Sequence, residues 1–199
     1  MFLGIDIGTT SVSAVILDQR KRCRAAASQP HRADIATAAD RSEQNPDKMC
    51  KTMDRVIGAL ASELRSRVKA IGVTGQMHGL LLFDRQGQPL TPLITWQDRR
   101  CLKDNFILSL QHKTGYPLDS GYGLATLAWL NANQQLPREN FSAATIADYL
   151  IARLTGNTKP VIDATNAAGW GCFDLEQLRW DDAALDRKST RLNSSHVSE

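Results

Sequence analysis

Asp6 is the residue most out of keeping with its neighbours in this chain. The run Leu3-Gly4-Ile5-Asp6-Ile7 is otherwise apolar, as a buried strand is, and Gly8-Thr9-Thr10-Ser11 follows with three consecutive hydroxyls. A glycine turn lets backbone approach a ligand closely. N–H and O–H donors on one turn can hold phosphate oxygens, with a carboxylate beside them for a divalent metal or its water shell. The apolar, alternating stretch Val12–Leu17 resumes at once, so the turn joins two strands of a hairpin. A Walker-type loop would lead into a helix and carry Gly-Lys-Ser/Thr, which is absent. On these residues alone, an ordinary hairpin with a capped aspartate stays open.

A second constellation lies some way downstream. Val68–Thr74 reads as a buried strand running into Gly75-Gln76-Met77-His78-Gly79. Two bracketing glycines turn the chain sharply and present Gln76, Met77 and His78 at a strand end, where ligands bind in α/β sheets. A histidine beside a glycine is, by itself, more often a surface residue than a ligand.

Taken together, "LGIDIGTTS" and "GVTGQMHG" resemble the FGGY family of carbohydrate kinases, of the actin-like ATPase superfamily. Further matches follow in the family's order: "TWQDRRC" at 95–101, "GYGLATLAWL" at 121–130, "DYLIARLTG" at 148–156 and "DATNAAGWGCFD" at 163–174. "GQMHG" is shared with xylulokinases, while "TWQDRRC" and "GYGLATLAWL" resemble the sedoheptulokinase branch. The resemblance covers roughly residues 1–185. It implies an α/β, ribonuclease-H-like domain, the first of the two domains of a sugar kinase. The implied cofactors are ATP and Mg, and the implied partner is a small-molecule ketose phosphorylated at a primary hydroxyl.

The resemblance also assigns residues. It sets Asp6 by Mg²⁺ and the transferring phosphate, with Gly8, Thr9, Thr10 and Ser11 as donors to it. Gln76, Met77 and His78 fall on the sugar side, His78 exchanging hydrogen bonds with hydroxyls and Met77 giving an apolar wall. Trp96 offers an aromatic face for sugar C–H groups, a core tryptophan being the alternative. Asp98 is a hydroxyl acceptor, and Tyr122 aligns with a substrate-side tyrosine. Asp163 reads better as a turn or helix cap than as a ligand. These residues are expected to line one cleft. Ser13 stands where many relatives carry Lys or Arg, and Thr126 replaces a signature lysine. The family's catalytic aspartate, in a Gly-Asp-x-x-Ala-type motif, is expected beyond residue 185, so the chain itself is expected to be inactive. An actin-like or chaperone-like nucleotide switch uses the same hairpin without sugar chemistry. Such a switch has no use for the sugar-facing His78 and Trp96.

The elements that must position these residues begin with three strands, at 2–8, 12–18 and about 22–28. Asn45-Pro46-Asp47 is a helix start: a capping Asn, proline in the first turn and an acid at the positive end. Met49, Met53, Val56, Ile57, Leu60 and Leu64 mark one buried face of a helix over 46–66. The strand at 68–74 and Leu80–Phe83 follow, with Asp84–Gly87 a hairpin turn. Helices are expected at 124–134 and 147–154, the latter closed by Gly156.

Composition sets the outer bounds. The 199 residues suffice for one sizeable core and fall short of the two domains that the resemblance implies. A hydrophobic content of 42% with 23% charged residues is that of a globular domain, and the net charge of +3 is weak. The run Arg20-Lys21-Arg22 with Arg24 follows Asp18 as a solvated hairpin tip, too few charges for nucleic-acid binding. Cys23, Cys50, Cys101 and Cys172 have no metal or disulfide spacing and read as reduced thiols of a cytoplasmic protein. Neither a signal peptide nor an apolar run of about 18 residues is present, so no membrane partner is expected. Residues 186–199 are polar, aperiodic and serine-rich; they are expected to form a non-family tail, either translated adaptor sequence or a natural disordered extension.

Overall fold

The computed structural model describes residues 1–157 and 159–184. In chain order the first elements are β1 (Phe2–Ile7), β2 (Ser11–Leu17), β3 (Cys23–Pro30), β4 (Asp34–Ile35), β5 (Glu43–Gln44), α1 (Pro46–Gly58), α2 (Ser62–Arg65) and β6 (Ala70–Gly75). Then come β7 (Leu81–Phe83), β8 (Leu93–Ile94), α3 (Phe106–Thr114), α4 (Gly123–Ala132), β9 (Ser142–Ala144) and α5 (Ile146–Thr155). Last are α6 (Ala164–Trp170), β10 (Phe173–Asp174) and β11 (Arg179–Trp180). The chain forms two compact units, residues 1–34 with 45–76, and residues 35–44 with those from 77 on. The second changeover falls inside the Gln76-Met77-His78 motif. The expected tail from residue 186 lies outside the described residues.

The first unit is a four-stranded sheet in the order β3-β2-β1-β6. Strands β1, β2 and β3 form the expected antiparallel meander, and β6 pairs parallel to β1. One face carries Leu3, Ile5, Ile7, Val12, Ala14 and Ile16, all buried. Helix α1 covers it with Met49, Cys50, Met53 and Val56. Burying such a side chain contributes about 1.5–3 kcal/mol, so the two methionines are packing residues. The helix starts where its capping chemistry requires, with the Asn45 side chain accepting the Lys48 N–H at 3.0 Å. The expected continuous helix over 46–66 is corrected: α1 ends at Gly58 and the short α2 follows. At the break Leu60 turns inward to 3% exposure, and its carbonyl accepts the Arg65 Nε–H at 3.0 Å. Burying Leu60 and capping its carbonyl outweigh the helix periodicity. The basic run is a hairpin tip as expected, with Asp18 accepting from the backbone of Arg20 and Arg22 and from the Arg22 guanidinium.

The second unit is built around α4. Every residue from Gly123 to Leu130 is buried, as in a helix that is apolar all round and enclosed on all sides. Ile107 and Leu110 of α3, Trp170 of α6, and Leu80, Leu82 and Ile94 pack in the same core. Helix α5 is capped by Thr145 and closes on Gly156 in the left-handed conformation. The Asp84 carboxylate accepts the Gln86 and Gln88 N–H groups, closing the expected turn. No helix among the described residues is long and apolar enough to cross a membrane.

Candidate active site

In the first unit, β1 carries Asp6 one residue from the end of the strand. Its neighbours across the sheet are Ser13 on β2 and Thr74 on β6, and the Ser13 hydroxyl shares a 2.8 Å hydrogen bond with that of Ser28 on β3. One polar row, Ser28–Ser13–Asp6–Thr74, thus crosses all four strands on the face opposite α1. The next row on that face is small or apolar: Ala26, Val15, Gly4 and Gly72. These rows border an open groove of about 830 Å³.

The loop after β1 is held by its own backbone and by one buried side chain. The Gly8 N–H donates to the Ser11 carbonyl at 2.9 Å, closing the turn. The His31 N–H donates to the Thr10 carbonyl at 3.1 Å, and its ring Nε2 lies 3.3 Å from the Gly8 carbonyl. His31 is 5% exposed, and its Nδ1 accepts the Ala33 N–H at 3.0 Å. With Nδ1 an acceptor, the ring proton sits on Nε2 and points to Gly8. Sequence reasoning missed His31, whose one signal is its place directly after the strand that pairs with β2.

The loop fits a phosphate with a divalent ion. A Cβ added at Gly8 would lie 3.4 Å from the Ser11 carbonyl oxygen and 3.8 Å from Asp6 Oδ2, both ordinary contacts. The fold therefore does not demand glycine there; the space a side chain would fill lies beside the Asp6 carboxylate. No group of three or more His, Cys, Asp or Glu side chains able to hold a metal occurs among the described residues. A hard cation at this point would rest on Asp6 together with phosphate and water oxygens, a coordination that suits Mg²⁺.

In the second unit, Met77 and Trp96 are exposed large apolar side chains, at 44% and 45%. That exposure removes the core alternative for Trp96. His78 adopts a left-handed backbone, φ +74°, uncommon for a residue with a Cβ and costly by about 1 kcal/mol. Three contacts maintain it. Its Nδ1 bonds the Gly169 carbonyl, its ring stacks on Tyr122 at 4.5 Å and 3°, and the Gly79 carbonyl behind it accepts the Trp170 Nε1–H at 3.0 Å. Because a carbonyl can only accept, Nδ1 carries a proton and Nε2 is the ring nitrogen left to meet a ligand. Nε2 makes no hydrogen bond among the described residues.

Glycines elsewhere let these groups approach. A Cβ at Gly121 would fall 2.1 Å from the Trp96 carbonyl oxygen, one at Gly123 2.4 Å from the Trp170 ring, and one at Gly169 3.0 Å from Met77. The "GYG" and "AAGWG" wording is thus the imprint of backbone packed against Trp96, Trp170, Met77 and His78. Asp163 is the cap of α6, accepting the Thr165 N–H at 2.8 Å, as expected. It acts on the site through the helix whose Gly169 carbonyl holds His78.

Asp98 has a different role from the one expected. It is 1% exposed, and its oxygens accept from the Ser42 N–H, the Arg100 N–H, and the Arg100 Nε and Nη2. Arg100 is itself 2% exposed and also reaches Glu43 at 2.6 Å. Burial alone would lower the Arg100 pKa, but the two carboxylates outweigh it and hold the guanidinium charged. This carboxylate is committed to four donors, so its reading as a hydroxyl acceptor for substrate is corrected to that of a buried counter-ion. Its sequence position beside Trp96 gave no sign of the burial.

Asp6, Gly8, Thr9, Thr10, Ser11 and Gln76 therefore belong to the first unit, and Met77, His78, Trp96 and Tyr122 to the second. Comparison with known proteins gives the decisive match: the sequence profile of the N-terminal domain of the FGGY family of carbohydrate kinases matches residues 1–196. The chain belongs to this family. Sedoheptulokinase of Mus musculus is 32% identical over 212 residues, covering 93% of this chain and 44% of that protein. The xylulose kinase of Escherichia coli (strain K12) is 31% identical over 198 residues, covering 93% and 39%. A ligand-bound xylulose kinase structure from Lactobacillus acidophilus superposes with a TM-score of 0.83 at 28% identity, covering all of this chain and 41% of that one. The fold is that of an FGGY sugar kinase, the actin-like ATPase fold, and the family is one of phosphotransferases rather than of nucleotide switches. The chain spans about two-fifths of the length of these curated relatives.

Proposed function

We propose that this domain supplies the phosphate loop and the sugar-binding groups of a kinase. The kinase would transfer the γ-phosphoryl of ATP to a primary hydroxyl of a ketose, with sedoheptulose the first candidate. The observation that carries the reading is the setting of His78: Nδ1 bonded to the Gly169 carbonyl, ring face covered by Tyr122, and Nε2 without a hydrogen bond among the described residues. A hydroxyl-rich ligand can exchange a hydrogen bond with that nitrogen while its C–H groups meet Met77 and the Trp96 ring. Gln76 directly follows β6, its N–H bonded to the Ile7 carbonyl at 2.8 Å, and would contribute a side-chain amide.

On the nucleotide side, the donors of Thr9–Ser11 would hold phosphate oxygens and Asp6 would hold Mg²⁺, while the Gly8 N–H is taken by the Ser11 carbonyl and closes the turn. The ion would supply charge neutralisation on the transferring phosphoryl. The carboxylate that takes the hydroxyl proton is expected outside this chain, so residues 1–199 alone should bind without turnover. Loss of a general base costs about 10²–10⁴ in rate. The test uses the gene product carrying both family domains in an ATP-coupled assay with sedoheptulose and xylulose. His78→Asn should raise the sugar KM with little change in kcat, and Asp6→Asn should lower kcat with little change in sugar KM. Turnover by chain 1–199 alone, or equal small effects of both substitutions, would overturn these roles.

A further inference from the structure

We propose that His31 is the positioning residue of the nucleotide-phosphate loop, an inference that rests on the reading of Gly8–Ser11 as that loop. A phosphate oxygen is attracted by N–H and O–H donors and repelled by a carbonyl. A loop that binds phosphate must therefore keep its carbonyls turned away, those of residues 8 and 10 among them. Both of those carbonyls are claimed by His31, residue 8 by the ring Nε2–H and residue 10 by the backbone N–H. The peptide after Gly8 is the one most prone to flip, because glycine lacks the Cβ that restricts its torsions. A flip there would turn the Gly8 carbonyl outward in place of the Thr9 N–H.

His31 can do this only in one tautomer, and its surroundings select that tautomer. Nδ1 accepts the Ala33 N–H across a tight turn whose middle residue, Arg32, has φ +49°. The Ala33 carbonyl in turn accepts the Asn45 N–H at 2.8 Å, and Asn45 is the cap of α1. A continuous path therefore runs from the helix cap, through Ala33 and the imidazole, to the Gly8 carbonyl. Asn45 and Pro46 thus start the helix and also anchor the turn that sets the ring. A histidine suits this task because one flat ring offers an acceptor and a donor on opposite edges, each fixed by the other's partner.

Two near-isosteres separate the two edges. Gln places an amide nitrogen near the Nε2 position, retaining a donor to Gly8 and losing the acceptor to Ala33. Asn places an amide oxygen near the Nδ1 position, retaining the Ala33 turn and losing the donor to Gly8. NMR on ¹⁵N-labelled chain 1–199 near neutral pH should show the His31 ring protonated on Nε2 alone. In His31→Ala and His31→Asn the amide signals of Thr9, Thr10 and Ser11 should shift and their hydrogen exchange should accelerate about tenfold, the worth of one hydrogen bond; His31→Gln should restore them. Mg-pyrophosphate is the binding probe, followed on the same amides. Its affinity should fall about tenfold in the Ala and Asn variants and be kept in Gln.

A ring protonated on Nδ1 alone, or loop amides unmoved in His31→Ala, would overturn the proposal. So would equal pyrophosphate affinity in wild type and His31→Ala, which would leave the phosphate reading standing. Absence of pyrophosphate binding to a wild-type loop that behaves as described would instead sink the phosphate reading, and with it the purpose assigned to His31. A loss of thermal stability in His31→Asn equal to that in His31→Ala, with the loop amides unchanged, would reduce the residue to packing.

Discussion

Asp98→Asn should destabilise the second unit strongly, although the change is nearly isosteric and touches no ligand group. Four donors converge on the two carboxylate oxygens, two from the backbone of Ser42 and Arg100 and two from the Arg100 guanidinium at 2.7 and 2.9 Å. Asparagine keeps one acceptor oxygen and puts an NH₂ group in place of the other, so two donors face a donor. Arg100, 2% exposed, is left with Glu43 as its one remaining close counter-charge. Removing one partner of a buried pair costs about 3–5 kcal/mol, and the surviving Glu43 contact places this case near 3. For a domain of this size 1 kcal/mol is roughly 2–4 °C, so the melting midpoint should fall by about 6–12 °C. Thermal unfolding of chain 1–199, followed by circular dichroism, measures it directly. Adding Arg100→Met should recover at least half of the loss, because the unpaired charge is then gone. A midpoint within about 1 °C of wild type in the single variant would refute the counter-ion role and return Asp98 to the ligand side.

Three further outcomes follow from the geometry. Gly8→Ala should leave the melting midpoint unchanged, because its Cβ meets only ordinary contacts, while weakening Mg-pyrophosphate binding measured by calorimetry; a large loss of stability would show that the glycine serves the fold. Gly123→Ala should cost about 1–3 kcal/mol or more, because the added methyl would sit 2.4 Å from the buried Trp170 ring, and an unaltered denaturant midpoint would contradict that packing. Asp148 is buried, and desolvation pushes its pKa from 3.8 up to about 6 against the opposing bonds from Thr145 and Asn166. The folded state then holds a proton that the unfolded chain has released. This contribution to stability is complete below about pH 4 and is lost as pH rises towards about 6. Urea midpoints measured from pH 4 to 7 should therefore carry a downward component that Asp148→Asn abolishes, and identical pH profiles for the two proteins would count against it.

Local chemistry was enough to determine much of this molecule. The strands of the first unit, the glycine turn after Asp6, the Asn45-Pro46-Asp47 helix start, the Gly156 stop and the Asp163 cap are short-range events. Each depends on residues within about one helical turn or one strand pair, where torsion preference and nearest-neighbour hydrogen bonds dominate. The family, too, could be read from motifs that stand in order along the chain. Tertiary structure decided the rest, because those residues act across long separations. Asp98 resembles an exposed ligand beside Trp96 until Ser42 and Glu43, more than fifty positions earlier, close over it through Arg100. His31 carries no motif, and its meaning arises when β3 folds back along β2 and brings it to Gly8. Helix periodicity from Met49 through Leu64 gave no warning of the break after Gly58, since the burial of Leu60 and the bond from Arg65 to its carbonyl are settled only in the folded chain. Burial and long-range hydrogen bonds set the function of a polar side chain here, and both are properties of the folded chain rather than of its order.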